Sequence, residues 1–159
     1  MINYKDKCIA LLKERGVSIS DIAECSLYLQ KPYHPELKAE DFLSSINSVL
    51  DKTEVQYAIM VAVELDKLAE NHKFFDKDLE ATLNRDEPMF GVDEVLAYGI
   101  CNLYGSIALT NFGFIDKNKF GIIAKLNDAN QDNKTCNCFL DDVVGAIAAS
   151  AASRFAHNY

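Results

Sequence analysis

Phe139-Leu140-Asp141-Asp142-Val143-Val144-Gly145-Ala146-Ile147, followed by the small-residue run Ala148 to Ser153 and then Arg154 and Phe155, is the stretch on which the fold turns. Apart from its two carboxylates, nearly every position is apolar or small, so a helix here has almost no polar face. A helix of that kind is buried among others. The residues therefore predict a buried central helix in a compact, multihelical, all-α single domain covering residues 1–159. Asp141 and Asp142 enter that core at the helix mouth, where an uncompensated charge is costly. Something has to neutralise them. A second stretch of the same form, Gly91-Val92-Asp93-Glu94-Val95-Leu96, opens another long apolar segment upstream. Two matching anomalies point to one shared site.

Composition narrows the function classes. With 159 residues, 49% of them hydrophobic and 25% charged, the chain is long enough for a real core and is not a disordered segment. The net charge of -8 and the lack of a Lys/Arg cluster exclude duplex nucleic acid as a partner and give no attraction to an anionic bilayer. An anionic substrate would need a mediating cation. Five cysteines (Cys8, Cys25, Cys101, Cys136, Cys138) form no disulfide framework and fit a cytoplasmic, reducing setting. Cys136-Asn137-Cys138 has no companion Cys or His pair at zinc spacing. The segment Met1 to Lys7 is polar and reads as no signal peptide. The apolar runs Val95 to Leu109 and Val143 to Ala152 fall short of the roughly 20 residues of a transmembrane segment.

Taken in order, Tyr4 to Arg15 predicts a first helix stopped by Gly16. Ser20 or Asp21 caps a second helix that ends before Pro32, and Gln30 to Pro35 forms a proline-set corner. Lys38 to Leu50 and Thr53 to about Asn71 have helical apolar spacing, the latter with Thr53 and Gln56 at capping-box distance. A short helix is expected around Leu79 and Leu83. Gly91 to Thr110 reads as one helix ended by Asn111 to Gly113, with Gly99 and Gly105 admitting a close neighbour. An apolar turn through Leu126 and a mobile polar loop, Asn127 to Lys134, then lead to the final helix. No hairpin signal appears.

Adjacent helical residues project about 100° apart, so two packed helices can bring three or four carboxylates of Asp93, Glu94, Asp141 and Asp142 around one point. Hard oxygen ligands in that number suit Mg²⁺ or Mn²⁺, with substrate phosphate completing the shell. Asp116 and Lys119 add a carboxylate and a cation between the two stretches, and Lys119 can hold a phosphate oxygen as a point charge. The competing explanation is plain helix chemistry. Acidic residues in a first turn gain about 0.3–1 kcal/mol from the helix dipole with no metal present. On that view the chain is a non-catalytic helical interaction or cold-stress-related module. His34, His72 and His157 lack ligand spacing, and Ser106, Ser150 and Ser153 lack a nucleophile elbow.

The chain resembles the phosphatidylglycerophosphatase A family, in its soluble, low temperature requirement C-like branch. The resemblance rests on Asp93 and Glu94 opening a helix, on Asp116 with Lys119, and on Asp141, Asp142 and Gly145. It extends over Leu29 to Pro35, Val55 to Glu70, Asp86 to Asp116 and Phe139 to His157. It implies Mg²⁺-dependent removal of the terminal phosphate of phosphatidylglycerophosphate at the inner membrane face. Asp93, Glu94, Asp141 and Asp142 would bind metal or position the attacking water, with Asp116 assisting and Lys119 on the phosphate. Phe120 and Gly121 stand where family members commonly have a proline, and Ala97 where a glycine is common. Gly145, Ala149 and Ser153 form a small-residue stripe that favours close packing within or between subunits, which predicts a homo-oligomer.

Overall fold

A computed structural model describes residues 2–132 and 134–159. Helix α1 (Lys5–Glu14) ends in a Schellman turn, in which the Gly16 amide donates to Lys13 O and the Val17 amide to Leu12 O, with Gly16 at φ 82°. Helix α2 (Ile19–Gln30) starts earlier than predicted. Ser18, not Ser20 or Asp21, is its cap, and Asp21 instead supplies the reciprocal carboxylate of a capping box. A 3₁₀ turn (Ala39–Phe42) leads into α3 (Leu43–Leu50), and α4 (Thr53–Glu70) follows. Thr53 and Gln56 do not close the expected box. Gln56 is buried, accepts from the Tyr4 amide at 3.0 Å and donates to Leu50 O at 2.9 Å, so it ties the chain start to the turn before α4. Helix α5 (Lys77–Asn84) is capped by Asp76.

The predicted helix from Gly91 to Thr110 is in fact two. Val92–Glu94 forms a 3₁₀ turn entering α6 (Val95–Asn102), the chain breaks at residues 103–105, and α7 (Ser106–Asn118) carries Asn111 and Gly113 within it. Gly105 has φ 90°, a conformation that other residues adopt only with strain. It permits a corner, not a close approach, since a Cβ on Gly99 or Gly105 would meet nothing within 4 Å. The apolar turn after Phe120 is a further helix, α8 (Ile122–Ala129), burying Ile122, Ile123 and Leu126. The polar stretch Asn127 to Lys134 is partly anchored: Asn130 is buried and accepts the Asn137 amide at 2.6 Å. Asn133 and Met1 lie outside the described residues.

Helix α9 (Leu140–Asn158) is the buried central helix, with every residue from Leu140 to Ser153 buried. It packs against α2, α3, α4, α6, α7 and α8. The small-residue stripe at Gly145, Ala149 and Ser153 is consumed inside the chain, so an assembly of copies would use another face. A Cβ on Gly145 would sit 3.5 Å from Ile123 Cδ1 and 3.6 Å from Phe112 Cε2, ordinary contact distances. Gly145→Ala is therefore expected to be neutral or to stabilise by up to about 1 kcal/mol through helix propensity, measured by urea unfolding, whereas Gly145→Leu overpacks the site. Among the described residues there is no strand, and no helix is long and apolar enough to cross a membrane.

Candidate metal centre

The packing of α6 and α7 against α9 brings three separate pieces of chain to one point. Gly91, left-handed at φ 95°, turns the chain into the 3₁₀ turn that presents Glu94. Asp116 lies in the last turn of α7, and Asp142 in the first turn of α9. One carboxylate oxygen from each of Glu94, Asp116 and Asp142 lies within 4.8 Å of the others. Lys119 follows as the left-handed cap of α7, with φ 47°. Its Nζ is 2.8 Å from Asp116 Oδ1 and 3.7 Å from Asp141 Oδ2. Asp141 Oδ1 accepts the Asp142 amide at 2.8 Å.

Four carboxylates around one lysine are not neutral, and the imbalance shows in their acidities. Burial, reinforced by the neighbouring Asp141 and Asp116, pushes Asp142 up to about 11. Burial, partly opposed by Lys119, pushes Asp141 up to about 8. Tyr98 works to lower Glu94, but burial and the Asp116 charge prevail and leave it raised. For Asp116, burial acts upward while the hydrogen bonds from Lys119 and Asp142 win and hold it below the usual range. Lys119 loses by burial and gains more from Asp116 and Asp141, so it stays protonated. The cluster thus holds protons where a cation would discharge it, and its three converging hard oxygens fit Mg²⁺ or Mn²⁺.

Of the residues expected from sequence, Glu94 and Asp142 join the three-oxygen cluster, and Asp116, expected only to assist, is its third member. Asp93 and Asp141 lie outside that convergence. Asp93 acts on Asp142 and Glu94 through its charge, and Asp141 pairs with Lys119. Cys136 and Cys138 are buried and their thiols are pushed up by burial, which suits packing rather than metal binding.

Tyr98 is a further member of the site that is not among the residues expected from sequence; its hydroxyl donates to Glu94 Oε2 at 2.6 Å while its ring stands edge-on to Phe112. The i, i+4 spacing from Glu94 was the available signal. Because Tyr98 is exposed, Tyr98→Phe should change stability by no more than about 0.5 kcal/mol. It removes the bond that lowers Glu94, so the Glu94 carboxyl should titrate at still higher pH in carbon-detected NMR.

The fold and this cluster define a class: an all-helical protein that gathers carboxylates from three separate elements beside a single lysine. The chain belongs to the phosphatidylglycerophosphatase A family, whose model matches residues 9–157. It is 52% identical to the uncharacterized protein YutG of Bacillus subtilis (strain 168), over 96% of this chain and 90% of that protein. It is 43% identical to YpjQ of the same organism, also uncharacterized, over 94% and 82%. The crystal structure of the low temperature requirement C protein from Listeria monocytogenes is similar with a TM-score of 0.94 at 47% identity, covering 99% of this chain and 98% of that one. A protein of unknown function from Bacillus stearothermophilus gives 0.92 at 49% identity, covering 99% and 96%.

Proposed function

We propose that the chain is a Mg²⁺-dependent (or Mn²⁺-dependent) phosphomonoester hydrolase of the phosphatidylglycerophosphatase type, taking phosphatidylglycerophosphate to phosphatidylglycerol and inorganic phosphate at a cytoplasmic membrane face. The observation that carries this reading is the convergence of Glu94, Asp116 and Asp142 within 4.8 Å, next to Lys119. Those three residues would hold the ion, which when bound supplies charge neutralisation and a template for the phosphoryl oxygens. Lys119 holds a phosphoryl oxygen as a point charge once substrate draws it from Asp116. One carboxylate of the cluster takes the proton of the attacking water. As the phosphorus–oxygen bond to the alcohol breaks, the same proton passes to the alcohol oxygen, leaving phosphate and a free hydroxyl. Phe90, Val92 and Val95 stand exposed beside Asp93 and Glu94, which suits a substrate that brings apolar surface along with its phosphate.

The reading of the acidic residues as helix caps has less support. A capping carboxylate accepts amides at the start of a helix, whereas Glu94 accepts the Tyr98 hydroxyl and Asp116, in the last turn of α7, accepts the Lys119 ammonium. Phosphate release from phosphatidylglycerophosphate in mixed micelles and from glycerol 3-phosphate, each with Mg²⁺, Mn²⁺ or EDTA, tests the proposal. Cation-dependent release is expected. Release that persists in EDTA, or none from any substrate, would remove it.

A further inference from the structure

We infer that Asp66 of α4 is the positioning residue of the candidate site, fixing the orientation of the first turn of α9 and through it Asp141 and Asp142. This rests on the reading of that turn as half of a metal centre. Helix α9 has no cap of its own, because Phe139 occupies the N-cap position with a side chain that accepts nothing. Asp66 supplies the cap from a different helix. Its Oδ1 accepts the Phe139 amide at 3.1 Å and its Oδ2 the Leu140 amide at 2.9 Å. The side chain is 0% exposed, and the Cys136 thiol donates to it at 3.7 Å. A buried carboxylate is an expensive way to satisfy two amides, when a Ser or Asp at the cap would serve with less desolvation.

Two oxygens on two successive amides do what a single capping oxygen does not: they fix the rotation of the helix about its axis. The helix places side-chain atoms about 5–6 Å from its axis. A rotation of about 20° there displaces a carboxylate oxygen by roughly 2 Å, as large as an entire Mg²⁺–oxygen bond of about 2.1 Å. Asp141 and Asp142 directly follow Leu140, so they inherit whatever rotation Asp66 sets. Glu70, one turn further along α4, grips the same segment differently. It accepts the Cys136 amide at 2.9 Å and pairs with Arg15, which also donates to Cys136 O and Asn137 Oδ1. Glu70 anchors the approach to α9, whereas Asp66 orients its first turn.

The test compares Asp66→Asn, which offers one acceptor to two amides, with Glu70→Gln, at a temperature well below both melting points. Amide hydrogen exchange is followed by NMR without metal, and Mn²⁺ affinity by electron paramagnetic resonance. Asp66→Asn is expected to speed exchange at Leu140 and Asp142 by about 10-fold or more and to weaken Mn²⁺ binding by about 10-fold. Glu70→Gln should lower the melting temperature yet leave the Asp142 amide and Mn²⁺ affinity within about 2-fold. An Asp66→Asn protein of reduced stability but unchanged Asp142 exchange would make Asp66 a scaffold residue only and overturn the inference. If the parent protein binds no Mn²⁺, the metal reading falls, and the exchange data alone still decide the role of Asp66. Should Asp66→Asn fail to fold, Asp66→Glu, which keeps the carboxylate on a longer arm, is read by the same two measurements.

Discussion

Asp142→Asn is expected to yield a protein that is more stable than its parent in EDTA at pH 8 and that no longer responds to divalent cations. In the parent, Asp142 is buried and titrates at about 11, so folding at pH 8 has to take up a proton that the unfolded chain lacks. Asn needs no proton, and its amide can still donate toward Asp116. Relief of that penalty should raise the metal-free melting temperature by roughly 2–4 °C, equivalent to about 1 kcal/mol in a chain of this size. The same substitution removes a converging oxygen. Loss of cation-assisted charge stabilisation of about 3–4 kcal/mol corresponds to a fall in turnover on the order of 10²–10³-fold. Stability and activity moving in opposite directions is the signature of a residue kept for function. Differential scanning fluorimetry in EDTA, with phosphate release in Mg²⁺, reads both. A destabilised Asp142→Asn protein with full cation dependence would contradict the proposed site.

The second large effect is the response of the parent to Mg²⁺ or Mn²⁺ as a function of pH. Asp141 and Asp142 have folded-state acidities above their unfolded values, at about 8 and about 11. Each therefore stabilises the metal-free fold most at acid pH, and that contribution is lost progressively as pH rises from about 4 toward those values. A divalent cation reverses the trend, because it binds the ionised cluster and displaces the protons. At a concentration 100 times the dissociation constant, binding contributes about 2.7 kcal/mol, or roughly 5–10 °C in melting temperature. The shift should grow steadily from pH 6 to pH 9, because protons on Asp141 and Asp142 compete with the cation most strongly at the acid end. Thermal melts across that range, with and without a saturating concentration of cation, check it. A pH-independent shift, or none, would show that cations do not enter the cluster.

Much of this architecture is legible in the residues alone. The apolar circumference of Leu140 to Ser153 leaves a helix nowhere to go but the interior, and Gly16 stops α1 because a left-handed residue is needed there. The errors have physical causes. The small size of Gly105 predicts a close neighbour, whereas its positive φ is what matters, and the expected long helix is divided there into α6 and α7. Ile122, Ile123 and Leu126 make too short an apolar pattern to distinguish a turn from the two-turn helix α8. Gln56 has capping-box spacing but is drawn inward by the Tyr4 amide and Leu50 O, partners far from it in helical register.

For the site, the residue types were legible and their grouping was not. In one dimension the chain shows that Asp93, Glu94, Asp141 and Asp142 adjoin apolar runs, with Asp116 and Lys119 between them, because charge next to an apolar run needs no packing to be seen. That α9 is buried while α6 and α7 leave Val95, Ile107 and Phe114 exposed does not show there. Which oxygens meet is set by packing. Convergence depends on the rotation and crossing of α7 and α9 and on the 3₁₀ turn before α6, and these select Glu94, Asp116 and Asp142 while turning Asp141 toward Lys119. Tyr98 and Asp66 were invisible for the same reason. A tyrosine on an exposed face and an aspartate in mid-helix acquire their roles from partners that packing alone supplies, in the case of Asp66 more than seventy positions away along the chain.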